Sequence, residues 1–218
     1  MAAASAPKQK DSAMTAPTGL GAPARAVSAS PPRLPGADGA PAAVVPQRVA
    51  PGALLPGTPD LLRSVFRGHA AGVAVITARG AGPGAKPVGF TATSLTSVSA
   101  DPPLVSFGAG TGSSSWPVLA EAEYVGVHLL AEHQAALAAT FARSGADRFA
   151  PPTCWGPGPE GVPLLDGVLA RLVCRVVARV PAGGHRVLIA EVTAGEHGGG
   201  GRPLVYHEGR FTGLREPS

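Results

Sequence analysis

Hydroxyl groups crowd one stretch of this chain, Gly89-Phe90-Thr91-Ala92-Thr93-Ser94-Leu95-Thr96-Ser97-Val98-Ser99-Ala100-Asp101-Pro102-Pro103. Hydroxyls and β-branched residues on an extended backbone offer donors and acceptors in a fixed array, and the apolar Leu104-Val105-Ser106-Phe107 that follows would seat the array on a strand. Such a surface suits a polar ring ligand better than a packed core.

The glycines after that strand, Gly108-Ala109-Gly110-Thr111-Gly112-Ser113, look like a dinucleotide fingerprint but lack its parts. Ser113 stands where the third glycine belongs, and no acidic residue closes the next apolar run, Val127-His128-Leu129-Leu130, where a ribose would be held. What remains is Ser113-Ser114-Ser115 at the head of an expected helix, whose hydroxyls and free N–H groups could hold a phosphate or cap the helix. The hydroxyl run upstream favours the phosphate. Arg148-Phe149 pairs a cation with an aromatic ring, the combination that a phosphate-bearing ring compound needs, although Phe149 would equally anchor a core. His185, in Gly183-Gly184-His185, falls at an expected hairpin tip, open to a pocket or to solvent. Other chemistries find little support. The histidines are scattered without H-x-H or H-E-x-x-H spacing, Cys154 and Cys174 form no C-x-x-C pair, and no G-x-S-x-G elbow occurs.

Positioning these groups falls to short elements. Thr58-Pro59-Asp60 predicts a helix start, with Leu61, Leu62, Val65 and Phe66 on one face and an end near Gly72. Strand is predicted over 73–77, a turn over 80–86, a buried strand over 104–107, a short helix over 113–122, strand over 124–130 and a helix over 133–143. From Val168 to Val180 every even position is apolar while Arg171, Arg175 and Arg179 are odd, which predicts a half-buried strand. Further strands are predicted over 186–193, 204–206 and 210–214. Many strands, short helices and no regular strand–helix alternation predict a mainly β fold, an antiparallel β-barrel with short helices.

Residues 1–57 are Ala, Pro, Gly and Ser with almost no aromatics, which predicts a disordered tail ahead of one domain over 58–218. No apolar run approaches the ~20 residues that cross a bilayer, so no membrane association is expected. Unpaired cysteines fit a cytoplasmic protein. A net charge of +4 without a Lys/Arg cluster argues against nucleic acid and suits an anionic small ligand.

Taken together, several motifs follow one order: Phe66, Ala71-Gly72-Val73, Gly89 to Ser94, Ser97-Val98-Ser99 with Asp101-Pro102-Pro103, Ser114-Ser115-Trp116-Pro117, Phe141, Asp147-Arg148-Phe149, Gly184-His185 and Leu204-Val205-Tyr206-His207-x-Gly209. In this the chain resembles the flavin reductase family, the reductase components of two-component flavin-dependent monooxygenases, over about residues 60–214. The resemblance implies a Greek-key, FMN-binding split β-barrel. It implies a homodimer that reduces FMN or FAD with NADH or NADPH and supplies reduced flavin to a partner monooxygenase. Thr91, Ala92, Thr93 and Ser94, beside Phe90, would bond the flavin ring and ribityl chain. Ser97, Ser99 and Asp101 would give backbone contacts around the ring. Ser113, Ser114 and Ser115 would hold the phosphate, Phe149 would line the flavin site, and His185 would sit on the nicotinamide side. Two positions depart from the family: Gly184 stands where Asp is common and His128 where Asn is common. A split-barrel flavoprotein that retains its flavin for another substrate, or a flavin-binding module without turnover, is the alternative.

Overall fold

The computed structural model describes residues 54–80, 82, 84–198 and 200–214, so the tail expected over 1–57 lies, up to residue 53, outside the described residues. The chain runs α1 (Pro59–Arg67), β1 (Ala71–Gly72), β2 (Ala74–Ala78), β3 (Val88–Ala92), β4 (Thr96–Ala100), β5 (Pro103–Gly110), α2 (Trp116–Glu121) and β6 (Tyr124–Leu129). It continues through α3 (Ala135–Ala142), β7 (Trp155–Pro157), β8 (Pro163–Leu165), β9 (Ala170–Ala182), β10 (His185–His197), β11 (Val205–His207) and β12 (Arg210–Thr212). Thr58 Oγ1 accepts the Leu61 N–H at 3.1 Å and Pro59 takes the first helical turn, which sets the start of α1. The helix ends at Gly68 rather than near Gly72, because Ala71 and Gly72 are drawn into pairing with Tyr206 and Val205. Among the described residues no helix is long and apolar enough to cross a membrane.

Seven strands form one antiparallel sheet in the order β3-β2-β6-β9-β10-β5-β4. Its two edge strands, β3 and β4, are neighbours in sequence, separated only by residues 93–95. A link that short spans about 14 Å at most, so the sheet must curl until its edges lie side by side. Yet no ladder joins them. The expected antiparallel barrel is therefore split along one seam, and the hydroxyl-rich run forms both lips of it. Burial on even positions, expected over 168–180, already admits the odd Val173, 3% exposed, and is lost beyond Val177. There Ile189 opposes Ala178 and Ala190 opposes Val176, leaving Val177 as the extra residue of a β-bulge, and Val180 beyond it is 46% exposed.

The core has two parts that share β2. Ile76 enters the barrel with Phe107, Leu119, Val127 and Leu188, whereas Val75 faces outward under α3 with Leu130, Ala138, Phe141 and Leu204. Both faces of β2 are thus covered, which is why its sequence is an apolar run without alternation. Gly89 on β3 marks a close approach to α3. A Cβ there would stand 2.8 Å from both Ile76 O and Phe141 Cε1. Gly89→Ala is expected to cost about 2 kcal/mol by overpacking. The readout is a lower urea midpoint at constant m-value, and an unchanged midpoint would show that Phe141 yields.

One polar side chain lies in this core unprovided for. His128 on β6 is fully buried, and its Nδ1 lies 3.1 Å from Val75 O. A carbonyl only accepts, so Nδ1 carries the proton and Nε2 is a bare acceptor, which finds no partner among the described residues. Burial, aided by the nearby Arg171 charge and opposed by the bond to Val75, lowers its pKa from 6.5 to about 4.

Candidate functional site

The seam divides the hydroxyl run between two tasks. Thr91 Oγ1 donates to Ala138 O at 2.6 Å, fixing α3 on β3; Ala92 is buried, and Phe90 packs 6.4 Å from Phe107 between ring centroids. These three build one lip. Thr93, Ser94 and Ser97 are exposed. Ser94 Oγ accepts the Gly108 N–H at 2.9 Å, tying the β3–β4 link to β5, and Ser99 Oγ donates to Asp101 O at 3.0 Å where the chain turns into β5. Among the described residues, Thr93 and Ser97 keep hydroxyls free, and the outer N–H and C=O groups of edge strand β4 meet no neighbouring strand. The floor between the lips is nearly bare backbone. A Cβ on Gly108 would touch Ser94 Oγ at 3.4 Å, and one on Gly110 would lie 3.6 Å from His185 Nε2.

Past β5, the helix expected over 113–122 shrinks to the six residues of α2, with Ser113–Ser115 in turns ahead of it. Ser113 N–H donates to Gly110 O at 3.1 Å, which links these turns to the glycine floor. Ser115 makes no side-chain cap. Its buried hydroxyl donates to Gly89 O at 3.0 Å, so it locks α2 onto β3. Ser114 is exposed and accepts Arg148 Nη1 at 3.3 Å. The same guanidinium holds its own loop, Nε donating to Phe141 O at 3.1 Å and Nη2 to Arg143 O at 2.8 Å. Partial burial lowers the Arg148 pKa, although a guanidinium keeps its charge in proteins. Among the described residues no carboxylate lies within ion-pair distance of it, because the adjacent Asp147 pairs with Lys86 at 3.5 Å. A partly desolvated cation bonded only to neutral oxygens is a site for an anion.

Arg148, Ser114 and Lys86, with Gly89, Phe149 and Trp155, line a cavity of about 540 Å³. Phe149 stands edge-to-face between Phe141 and Trp155, 5.3 Å from each, and Trp155 Nε1 donates to Phe149 O at 3.0 Å. Of the residues expected at the site, Ser114 and Phe149 line this cavity, and the seam residues and His185 lie outside its lining. Lys86 and Trp155 were not anticipated, and Asp147 only as part of the Asp147-Arg148-Phe149 motif. Only the pairing of Phe149 and Trp155 across the Pro151-Pro152 break could have drawn attention to them.

His185 begins β10 directly after the Gly183–Gly184 turn and is exposed. The turn is pinned to the end of β5, since both the Thr111 N–H and the Thr111 hydroxyl donate to Gly184 O, at 3.0 and 2.9 Å. The imidazole is thereby held over Gly110.

Residues 66–215 match the family described as "Flavin reductase like domain". The "NADH:FMN oxidoreductase" of Rhodococcus qingshengii is 42% identical over 153 residues, covering 68% of this chain and 78% of its own. A "Flavin-dependent monooxygenase, reductase subunit" of Rhodococcus jostii is 33% identical over 156 residues, covering 72% of this chain and 78% of its own. The crystal structure of a flavin reductase domain protein from an Arthrobacter species superposes with a TM-score of 0.68 at 38% identity, over 73% of this chain and 97% of that one.

Proposed function

The chain belongs to the flavin reductase-like family, and on that premise we propose that it is an NAD(P)H-dependent flavin reductase that supplies reduced flavin to a partner monooxygenase. The observation that carries this reading is Arg148, a half-buried guanidinium without a carboxylate partner among the described residues, opening with Ser114 beside the glycine floor. A fixed cation and hydroxyl next to free hydroxyls and bare backbone fit a polar ring with a phosphate on a tether, as FMN and FAD have.

A flavin held there would supply the hydride chemistry, taking a hydride equivalent from NADH or NADPH. The chain's task is alignment. Arg148 and Ser114 take the phosphate end. Thr93, Ser97 and the open edge of β4 meet the polar rim of the ring, Ser94 and Ser99 brace that edge, and Gly108 and Gly110 let the ring approach the backbone. His185 guards the side from which the nicotinamide comes. The relative named as a monooxygenase reductase subunit supports a separate oxygenase as the recipient. We further propose that the catalytic unit spans 58–218 and forms a homodimer. Support comes from α1, whose apolar face of Leu62, Val65 and Phe66 is about 60% exposed. The free thiols of Cys154 and Cys174 suit the cytoplasm.

Absorbance at 340 nm tests the activity, with NADH or NADPH, each with and without FMN or FAD, under air. Turnover is expected only when flavin is added, and none under any combination would leave a flavin-binding module. In the same assay His185→Ala is expected to raise the KM for NAD(P)H about 5- to 10-fold, the loss of one hydrogen bond, with flavin affinity little changed. The opposite pattern would move His185 to the flavin side.

A further inference from the structure

His185 follows a turn that little else constrains. That turn is two glycines, and only the first needs to be one: Gly183 has a φ of +58°, whereas Gly184 lies outside the left-handed region, and a Cβ on either would meet nothing within 4 Å. Tandem glycine lets a hairpin tip wander, because no side chain narrows the backbone torsions and no neighbour packs against it. The exposed imidazole adds no hydrogen bond of its own among the described residues.

What holds the tip is Thr111, the residue after β5. Its N–H and its hydroxyl both donate to Gly184 O, at 3.0 and 2.9 Å, the carbonyl that leads into His185 and one with two lone pairs to offer. The N–H alone would continue the ladder of β5 with β10, whose last pair is Gly110 with His185, so the hydroxyl is an addition to it. The carbonyl on the other side of the His185 Cα is held too, accepting Arg186 Nη1 at 3.0 Å. With both flanking peptide groups fixed, the imidazole keeps only its own two torsions.

We propose that Thr111 is a positioning residue for the nicotinamide step, its hydroxyl fixing the glycine tip so that His185 is in place before NADH or NADPH arrives. The ordering that a free tip would undergo on binding is then done in advance. The inference rests on the reductase reading, with His185 on the donor side, and deepens it.

The test is steady-state kinetics of Thr111→Val, which keeps the shape and the N–H but removes the hydroxyl, alone and combined with His185→Ala. Alone, it is expected to raise the KM for NAD(P)H about 3- to 10-fold, the loss of one hydrogen bond, with flavin affinity and urea midpoint little changed. Thr111→Ser should stay near the wild type. In the His185→Ala background Thr111→Val should add nothing, because residues that act as one unit are not additive. Gly184→Ala, permitted by its φ and by the open space around it, should recover about two- to fivefold of the loss in Thr111→Val, narrowing the tip without any hydroxyl. An unchanged KM in Thr111→Val, or the full rise persisting beside His185→Ala, would overturn the positioning role and leave His185 where it is. An unchanged KM in His185→Ala itself would remove His185 from the donor side, and absence of turnover in the wild type would overturn the reductase reading; either takes the positioning role with it.

Discussion

Arg148→Ala is expected to weaken FMN binding by about 10- to 150-fold while leaving riboflavin within about twofold. The first figure is the usual 1.5–3 kcal/mol of a hydrogen bond to a charged group, converted at about 1.4 kcal/mol per tenfold. The second follows because riboflavin has no phosphate. Using both ligands matters, since Arg148 also holds its loop through Phe141 O and Arg143 O. If the variant acted by releasing that loop, both flavins would weaken together, and the phosphate assignment would fall. Arg148→Lys keeps the charge but not the fork that reaches three oxygens at once, so it should recover only part of the FMN affinity. Raising the ionic strength should narrow the gap between FMN and riboflavin for the wild type and leave Arg148→Ala nearly unaffected.

The second large effect concerns acid. Above pH 6.5, His128 is neutral whether the chain is folded or not, and it contributes no pH dependence. Between 6.5 and about 4 the unfolded chain takes up a proton that the folded chain refuses, so stability falls with pH at a slope approaching 1.4 kcal/mol per unit. Summed over that interval the loss is about 3 kcal/mol, and below pH 4 it grows no further because both states are protonated. Arg171, one strand away and partly buried, adds repulsion to any charge placed there. Urea midpoints at pH 7.0 and 4.5 measure this. His128→Asn, which can still donate to Val75 O, should flatten the difference by most of that amount. Equal pH dependence in the two proteins would mean that His128 reaches water by local opening and takes up a proton in the folded state.

How far the barrel can be read from sequence depends on which force sets each strand. β9 is legible because every even position from Val168 to Val180 is apolar and its arginines are all odd, and β6 and β10 because their apolar residues gather in short runs. The doubly buried β2 is legible by its apolar density. Bulges are not: nothing in Ala-Arg-Leu-Val-Cys-Arg-Val-Val-Ala marks Val177 as the residue that drops out of register, since that is decided by the partner strand. The extension of β10 to His197 is likewise a gift of β9, because 194–197 includes glycine and charge and would read as loop alone. For the candidate site, a count of hydroxyls says where polar chemistry concentrates but not which way each points. Thr91 and Ser115 turn inward because α3 and α2 present or require a partner there, a tertiary fact. The cavity wall is harder still, since Lys86 and Arg148 come from irregular loops and Trp155 from the three-residue β7, where no periodicity announces a shared face.

The unsealed seam between β3 and β4 has a consequence for colloidal behaviour. A strand edge left free for a small molecule is equally free for a second polypeptide, and flat exposed edges are where β proteins join into aggregates. Here the exposed edge strand is short, five residues, and it is bent at Val98, where Ser97 and Ser99 oppose the consecutive pair Val105 and Leu104. Pro102, in the turn that closes the strand, cannot donate to an incoming one. The bulge, the brevity and that proline keep the edge from templating a neighbour, so the hydroxyl-rich lip can stay open without making the chain self-adhesive.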